Sequence, residues 1–195
     1  YSSAASDVYK RQALTSVFSS VITLVVFLKT KWTPISRNYL LSKPWLTLLW
    51  VALFALGAMI PLEFVYEQIG LEMDETTGLI FEGLLKEPWG YVAVGILAPL
   101  TEEVVFRGAI LRTLLGMMSK RNHWVAIMIS AAIFGAVHGN AAQFVNALFM
   151  GLLLGWMYYR TRSLVPGILL HWVNNTMAYI LTNLLPVSYT HLRAH

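Results

Sequence analysis

The sequence predicts an all-α protein, a polytopic bundle of about six transmembrane helices, and three observations carry that expectation. The first is composition: 57% of the 195 residues are hydrophobic and only 12% are charged, with a mean hydropathy of +0.60. Soluble domains carry about 25% charged residues. A chain of roughly 200 residues buries only about 70% of the surface it exposes when unfolded. So much apolar surface could not be hidden from water, which argues against a soluble enzyme, a disordered chain or a repeat scaffold. The second observation is a series of stretches of crossing length that lack Asp, Glu, Lys and Arg. The third is that Lys and Arg gather in alternate connecting segments, the pattern that sets membrane topology.

Each span follows from the local sequence. Residues 13–28 are free of charge but short for a crossing, and residues 44–62 match one crossing. Residues 89–111 have crossing length yet contain three charges. Residues 122–159 are free of charge and long enough for two crossings, with the turn expected at the breaker pair Gly139-Asn140. Residues 163–186 supply the last, with Pro166 near the first turn, where proline is tolerated. Basic residues follow helix 1 (Lys29, Lys31, Arg37, Lys43), helix 3 (Arg112, Lys120, Arg121) and helix 5 (Arg160, Arg162). The alternate segments hold only Lys86, so the basic side is expected to be cytoplasmic.

Between helices 2 and 3, residues 67–87 form the largest outer loop, with Glu67, Glu72, Asp74, Glu75, Glu82 and Glu87. Its stretch 76–85 could form a short surface helix, but a solvated loop is the simpler expectation. Trp89, Tyr91, Trp124, Trp156, Tyr158 and Tyr159 fall near helix ends, as interfacial belts do. Gly151-x-x-x-Gly155 is a close-packing face for a neighbouring helix.

Both ends break this composition. Residues 1–12 (YSSAASDVYKRQ) and 187–195 (VSYTHLRAH) resemble translated sequencing-adaptor read-through and are set aside from fold and function, so His191 and His195 are not counted as ligands. Residues 13–88 then hold helices 1 and 2 with the acidic outer loop, and residues 89–186 the helical core that carries the chemistry. The net charge of +4 reads as loop topology rather than as a nucleic-acid surface. The absence of cysteine excludes disulfides, thiolate zinc sites and a cysteine nucleophile.

Three charges stand where they are costly. Glu102, Glu103 and Arg107 lie inside helix 3, and an ionised residue at bilayer depth costs about 2.5–3.5 kcal/mol on insertion scales. Glu103 and Arg107 are four residues apart and can pair directly. Glu102 points about 100° away around the helix and has no local partner. Pro99 removes a backbone donor just before it and can kink the helix, which is tolerated mainly beside a water-filled cavity. His138 closes Phe-Gly-Ala-Val-His near the end of helix 4, and His171 lies mid-membrane in helix 6, on one face with Asn175. Three helices thus bring a carboxylate, two imidazoles and an amide to membrane depth, the way helix bundles build sites. Gln143 and Asn146 read as polar glue between helices, and His123, beside Arg121, as solvated.

At these residues the chain resembles the CPBP family, the CAAX-processing and bacteriocin-processing (Abi-like) intramembrane proteases. The family pattern E-E-x-x-x-R, F-x-x-x-H, H-x-x-x-N is matched by Glu102-Glu103-Val104-Val105-Phe106-Arg107, Phe134-Gly135-Ala136-Val137-His138 and His171-Trp172-Val173-Asn174-Asn175. The likeness spans residues 90–185. It implies an intramembrane endopeptidase in which Glu102 and His138 activate a water, His171 and Asn175 stabilise the oxyanion, and Glu103 and Arg107 support them. No serine stands out among these groups, so acyl-enzyme chemistry is not indicated.

The resemblance leaves the cofactor open between none and a divalent metal such as zinc. If a metal binds, Glu102, His138 and His171 would be its ligands, with a fourth position open. There is no H-E-x-x-H, and a metal-free glutamate mechanism is the favoured version. Implied partners are a peptide or protein substrate (a prenylated CAAX protein, a leader peptide or a membrane segment) and the lipid bilayer of a bacterial plasma membrane, with no nucleic acid. Two other functions fit the same residues. A proton-coupled transporter also needs Glu and His at membrane depth, although the two halves show no repeat. A non-catalytic immunity or scaffold protein could keep the motifs for packing alone.

Overall fold

The computed structural model describes residues 3–33, 37–70 and 75–184. The adaptor-like segment 187–195 lies outside them. Within the described residues the chain is all helical. The helices are α1 (Ser3–Lys29), α2 (Arg37–Leu41), α3 (Trp45–Ile69), α4 (Glu75–Lys86), α5 (91–117), α6 (His123–Ala136), α7 (Ala141–Thr161) and α8 (Val165–Leu184). All six expected spans exist as helices. Three of them, α1, α3 and α7, are long and apolar enough to cross a membrane by length and composition. By contrast α6 has 14 residues, which at 1.5 Å each makes about 21 Å, short of a hydrocarbon core of about 30 Å.

α6 and α7 form an antiparallel hairpin that turns at residues 137–140, where Gly139 has φ +78°. Small residues let the two backbones close up. A Cβ on Gly151 would lie 2.9 Å from Ala131 Cα, and one on Gly155 would lie 2.9 Å from Ile127 Cγ2. The Gly151/Gly155 face therefore packs on α6, as its spacing predicts. α3 lies along α8, with Val51 and Ala55 in one core cluster with Leu154, Met157, Leu170 and Val173. α1 packs across α4 and the first half of α5. Outer faces are apolar and open. Leu46, Trp50, Ile60 and Phe64 are among the exposed side chains of α3, as a lipid-facing helix requires.

α5 is the irregular element. Tyr91–Leu97 and Glu103–Leu111 are wound as π-helix on either side of the α-helical turn Ala98–Glu102. Pro99 is buried in the first two positions of that turn, and Ala98 N–H donates to Ala93 O, five residues back. Side chains from elsewhere serve the carbonyls along this stretch. Asn175 Nδ2 donates to Val94 O at 2.9 Å, Thr33 Oγ1 to Val104 O at 2.8 Å, and Ser130 Oγ to Phe106 O at 3.1 Å. Broken helix geometry is tolerated at membrane depth where such partners exist.

Three expectations change. Residues 75–86 are helix, not a solvated loop: Gly83, Leu84 and Leu85 are buried against α1 and α8. The apolar positions 81, 84 and 85 share one face inside an acidic stretch, and their burial outweighs the solvation of the acids. Residues 3–12 are helical and run into α1. His123 is not merely solvated. Its ring stacks on Tyr159 at 4.2 Å and 8°, and its Nδ1 donates to Lys120 O at 3.0 Å, because the hairpin sets residue 159 opposite 123. Tyr158 is buried in the core. Tyr91 docks on α8, its hydroxyl 3.1 Å from Thr176 Oγ1 and accepting from Trp172 Nε1 at 3.2 Å. Neither tyrosine is therefore a belt residue, whereas Trp89, Trp124 and Trp156 are exposed as belts require.

The α6–α7 contact yields a test. Gly151→Val should lower thermal stability in detergent by about 1–3 kcal/mol, the usual cost of overpacking, because the obstacle is backbone. Gly57→Ala should be neutral or slightly stabilising, since nothing lies within 4 Å of its Cβ position and alanine favours helix.

Candidate active site

Arg107 and Glu103 occupy successive turns of α5, and the expected pair forms: Arg107 Nη1 donates to Glu103 Oε1 at 2.9 Å, with both side chains 1% exposed. Arg107 also reaches two other helices. Its Nη2 donates to Gly151 O on α7 at 3.3 Å, and its guanidinium carbon stands 4.4 Å from the centre of the Phe134 ring on α6. A buried cation of this kind persists only when paired and hydrogen-bonded.

His171, on α8, bridges the two adjacent glutamates. Its Nδ1 lies 3.3 Å from Glu103 Oε1 and its Nε2 3.6 Å from Glu102 Oε2. An ionised carboxylate only accepts, so Nδ1 carries the proton towards Glu103 and Nε2 is the edge turned to Glu102. The two glutamates differ in hydration: the Glu103 side chain is 1% exposed and that of Glu102 is 29%. Gly167, one turn before His171, makes room for the buried carboxylate, since a Cβ there would lie 2.9 Å from Glu103 Oε2.

His138 follows the end of α6. Its Nδ1 donates to Phe134 O at 2.8 Å, which leaves the Nε2 lone pair free to accept when the ring is neutral. The Phe134 ring meets His138 edge-on at 5.0 Å and His171 at 6.0 Å, so one aromatic side chain spaces both imidazoles. Asn175 stands one turn beyond His171 and uses Nδ2 on Val94 O, with Oδ1 accepting from Asn174 at 3.3 Å. A carboxamide has two N–H groups, so one remains for another acceptor.

Glu102, His138, His171 and Asn175 all line one cavity of about 360 Å³. Glu103 and Arg107 lie behind its wall. Sequence reasoning missed three contributors. Phe81 and Leu85 of α4 also line the cavity, and their i,i+4 spacing was the available signal. Gly167 gave none, because its role depends on a neighbour 64 positions earlier. Gln143, expected as glue between helices, takes part in the cap of α7 by Asn140: its backbone N–H donates to Asn140 Oδ1 at 2.8 Å and its Oε1 accepts from Asn140 Nδ2 at 2.6 Å. Gln143 and Asn146 both face the same cavity.

A metal needs three or more ligands around one point, and among the described residues no three His, Asp or Glu side chains stand close enough to hold an ion, so as placed Glu102, His138 and His171 do not make the three-ligand set.

Comparison with known proteins follows the same residues. The family model described as Type II CAAX prenyl endopeptidase Rce1-like matches residues 84–177, from the end of α4 to beyond Asn175. The chain is 31% identical over 179 residues to "Putative membrane peptidase YdiL" of Bacillus subtilis (strain 168), covering 87% of this chain and 72% of that protein. It is 26% identical over 170 residues to "UPF0177 protein YaiF" of Lactococcus lactis subsp. lactis (strain IL1403), covering 82% and 75%. No solved structure matches.

The buried pair predicts a stability phenotype. Glu103→Gln strands the Arg107 charge inside the bundle, and breaking a buried pair costs about 3–5 kcal/mol. Thermal unfolding in detergent should show a large loss for this variant and for Arg107→Met, and less than the summed loss for the double variant, in which neither charge is left alone.

Proposed function

The chain belongs to the Rce1-like family of type II CAAX prenyl endopeptidases, within the CPBP proteases that its motifs resemble, and on that premise we propose a metal-free intramembrane endopeptidase built on Glu102, His138, His171 and Asn175. The membrane peptidase and its peptide or protein substrate follow from the family. The mechanism is our reading, and the bridging of one partly hydrated and one dry carboxylate by His171 is the observation that carries it.

In this reading the reacting water sits in the cavity against Glu102. Glu102 takes a proton from it as its oxygen bonds to the scissile carbonyl carbon, and the carbonyl oxygen becomes an oxyanion. His138, with Nδ1 engaged on Phe134 O, presents Nε2 to orient the water. The free N–H of Asn175 donates to the oxyanion, as does His171 Nε2, which carries a proton in this step so that both ring nitrogens are donors. Collapse of the tetrahedral intermediate breaks the C–N bond, and the proton held by Glu102 passes to the departing amine. Glu103 fixes the ring of His171 from behind, and Arg107 holds Glu103. The substrate is a polypeptide presented at a bacterial plasma membrane; a prenylated C-terminus, a leader peptide and a membrane segment are the competing forms.

The test is hydrolysis of a quenched peptide library, with and without a prenyl group, by purified protein in detergent. Glu102→Gln should lose about 10²–10⁴-fold in rate, the usual contribution of a positioned base. Asn175→Ala should lose about 10²–10³-fold in kcat, as for one oxyanion donor. Glu102→Gln should keep the wild-type unfolding temperature, Asn175→Ala should lower it because Val94 O loses its donor, and a zinc chelator should leave the rate unchanged. Equal hydrolysis by Glu102→Gln would end this mechanism. Proton-coupled flux in liposomes that survives Asn175→Ala would move the assignment to transport.

A further inference from the structure

The helix ends divide the bundle into two faces. Arg112 Nη2 donates to Trp32 O at 2.6 Å and Thr33 to Val104 O, which ties the end of α1 to the second half of α5. That end also carries Lys29 and Lys31, then Lys120 and Arg121 between α5 and α6, Arg160 in the last turn of α7 and Arg162 just after it. At the opposite end, Asn183 Nδ2 on α8 donates to Leu85 O of α4 at 3.4 Å, and the Tyr9 ring of α1 lies against Gly83. The cation of α4, Lys86, pairs there with Glu82. Lys10 and Arg11 also stand towards that end, within the adaptor-like segment set aside above.

The cavity belongs to one face. Among the described residues that line it, α5 contributes Val94, Ala98 and Glu102, and α8 contributes His171 and the three polar or small positions after it. α7 contributes its first three turns, and α4 its apolar face. None comes from the basic half: α5 beyond Glu102, α6 before Phe134, α7 beyond Met150 or α8 before His171. His138 is 15 residues past His123, so about 22 Å of helix rise separates it from the basic end.

We propose that the catalytic cavity serves the extracytoplasmic face of the membrane, and that the substrate is a polypeptide segment already translocated to that face. Short loops rich in Lys and Arg stay in the cytoplasm, and the cavity occupies the half of the bundle away from them. A leader peptide still anchored after export, or the outer flank of a membrane-anchored protein, reaches such a cavity. A prenylated C-terminus made and modified in the cytosol does not. α4 lines the cavity with Phe81 and Leu85, which give a substrate segment there an apolar wall. The proposal rests on the endopeptidase reading for its substrate, but its sidedness can be measured alone.

The chain has no cysteine, so single cysteines report their own side of the membrane. Ala141→Cys and Lys86→Cys probe the cavity end, and Arg121→Cys and Arg160→Cys the basic end, each in the full chain expressed in bacterial cells. A membrane-impermeant maleimide should label the first two in intact cells and the last two only after permeabilisation. Agreement within each pair guards against a misfolded variant. The opposite pattern overturns the proposal and leaves the peptidase reading standing. A second arm adds impermeant quenched peptides to right-side-out and inverted vesicles. Cleavage confined to right-side-out vesicles, and lost in Glu102→Gln, supports the proposal. Cleavage confined to inverted vesicles overturns it. Cleavage in neither defeats the endopeptidase reading and with it the substrate class, while the labelling still decides the sidedness.

Discussion

One buried ion pair organises the bundle. Arg107 and Glu103 are 1% exposed, and each is committed to more than the other. Arg107 holds the Gly151 carbonyl of α7 and covers the Phe134 ring of α6, and Glu103 holds His171 of α8. Four helices therefore meet at two side chains. Packing in lipid gains little from hydrophobicity, because lipid tails are as apolar as leucine. Close contact and buried polar bonds must hold helices instead, and this node supplies both. The glycines are its complement, since Gly151 lets α6 approach and Gly167 leaves space for the second oxygen of Glu103.

The irregular winding of α5 follows from the same demand. A regular α-helix would set its polar groups on a fixed 3.6-residue period. The wide turns on both sides of Pro99 change that spacing, and π-type winding inside helices recurs at functional sites. Each wide stretch is also tied to another element: Asn175 binds the first through Val94 O, and Thr33 and Ser130 bind the second through Val104 O and Phe106 O. Asn175, proposed above to face the oxyanion, thus also holds the helix that carries Glu102.

Much of this was legible in the sequence, for definite reasons. Glu103 and Arg107 sit four apart, so their pairing needs no tertiary knowledge, and the charge-free runs mark helices because lipid forbids unpaired charge. The α6–α7 turn was marked by Gly139-Asn140. What escaped depends on neighbours remote in sequence. α4 hides in an acidic stretch, its helix visible only once α1 and α8 cover Leu84 and Leu85. His123 reads as solvated until the hairpin brings Tyr159 beneath it. Gln143 reads as glue because an N-terminal cap needs the helix start to be known. That Glu103 touches His171 could not be read at all, since their separation in sequence carries no periodicity.

The two adjacent glutamates show why the site needs both. A carboxylate that exchanges protons with water must touch water, and one that fixes an imidazole must not move. One side chain cannot meet both conditions at bilayer depth, where a charge without a partner is costly. Successive positions on a helix point about 100° apart, which turns one carboxylate into the cavity and the other into the protein. Glu103 keeps its place through Arg107 and never needs solvent. Glu102 has no guanidinium of its own and stands 3.6 Å from the cavity edge of His171. In the proposed mechanism the dry carboxylate makes the wet one usable: by holding His171 from behind, Glu103 fixes where the imidazole stands relative to Glu102.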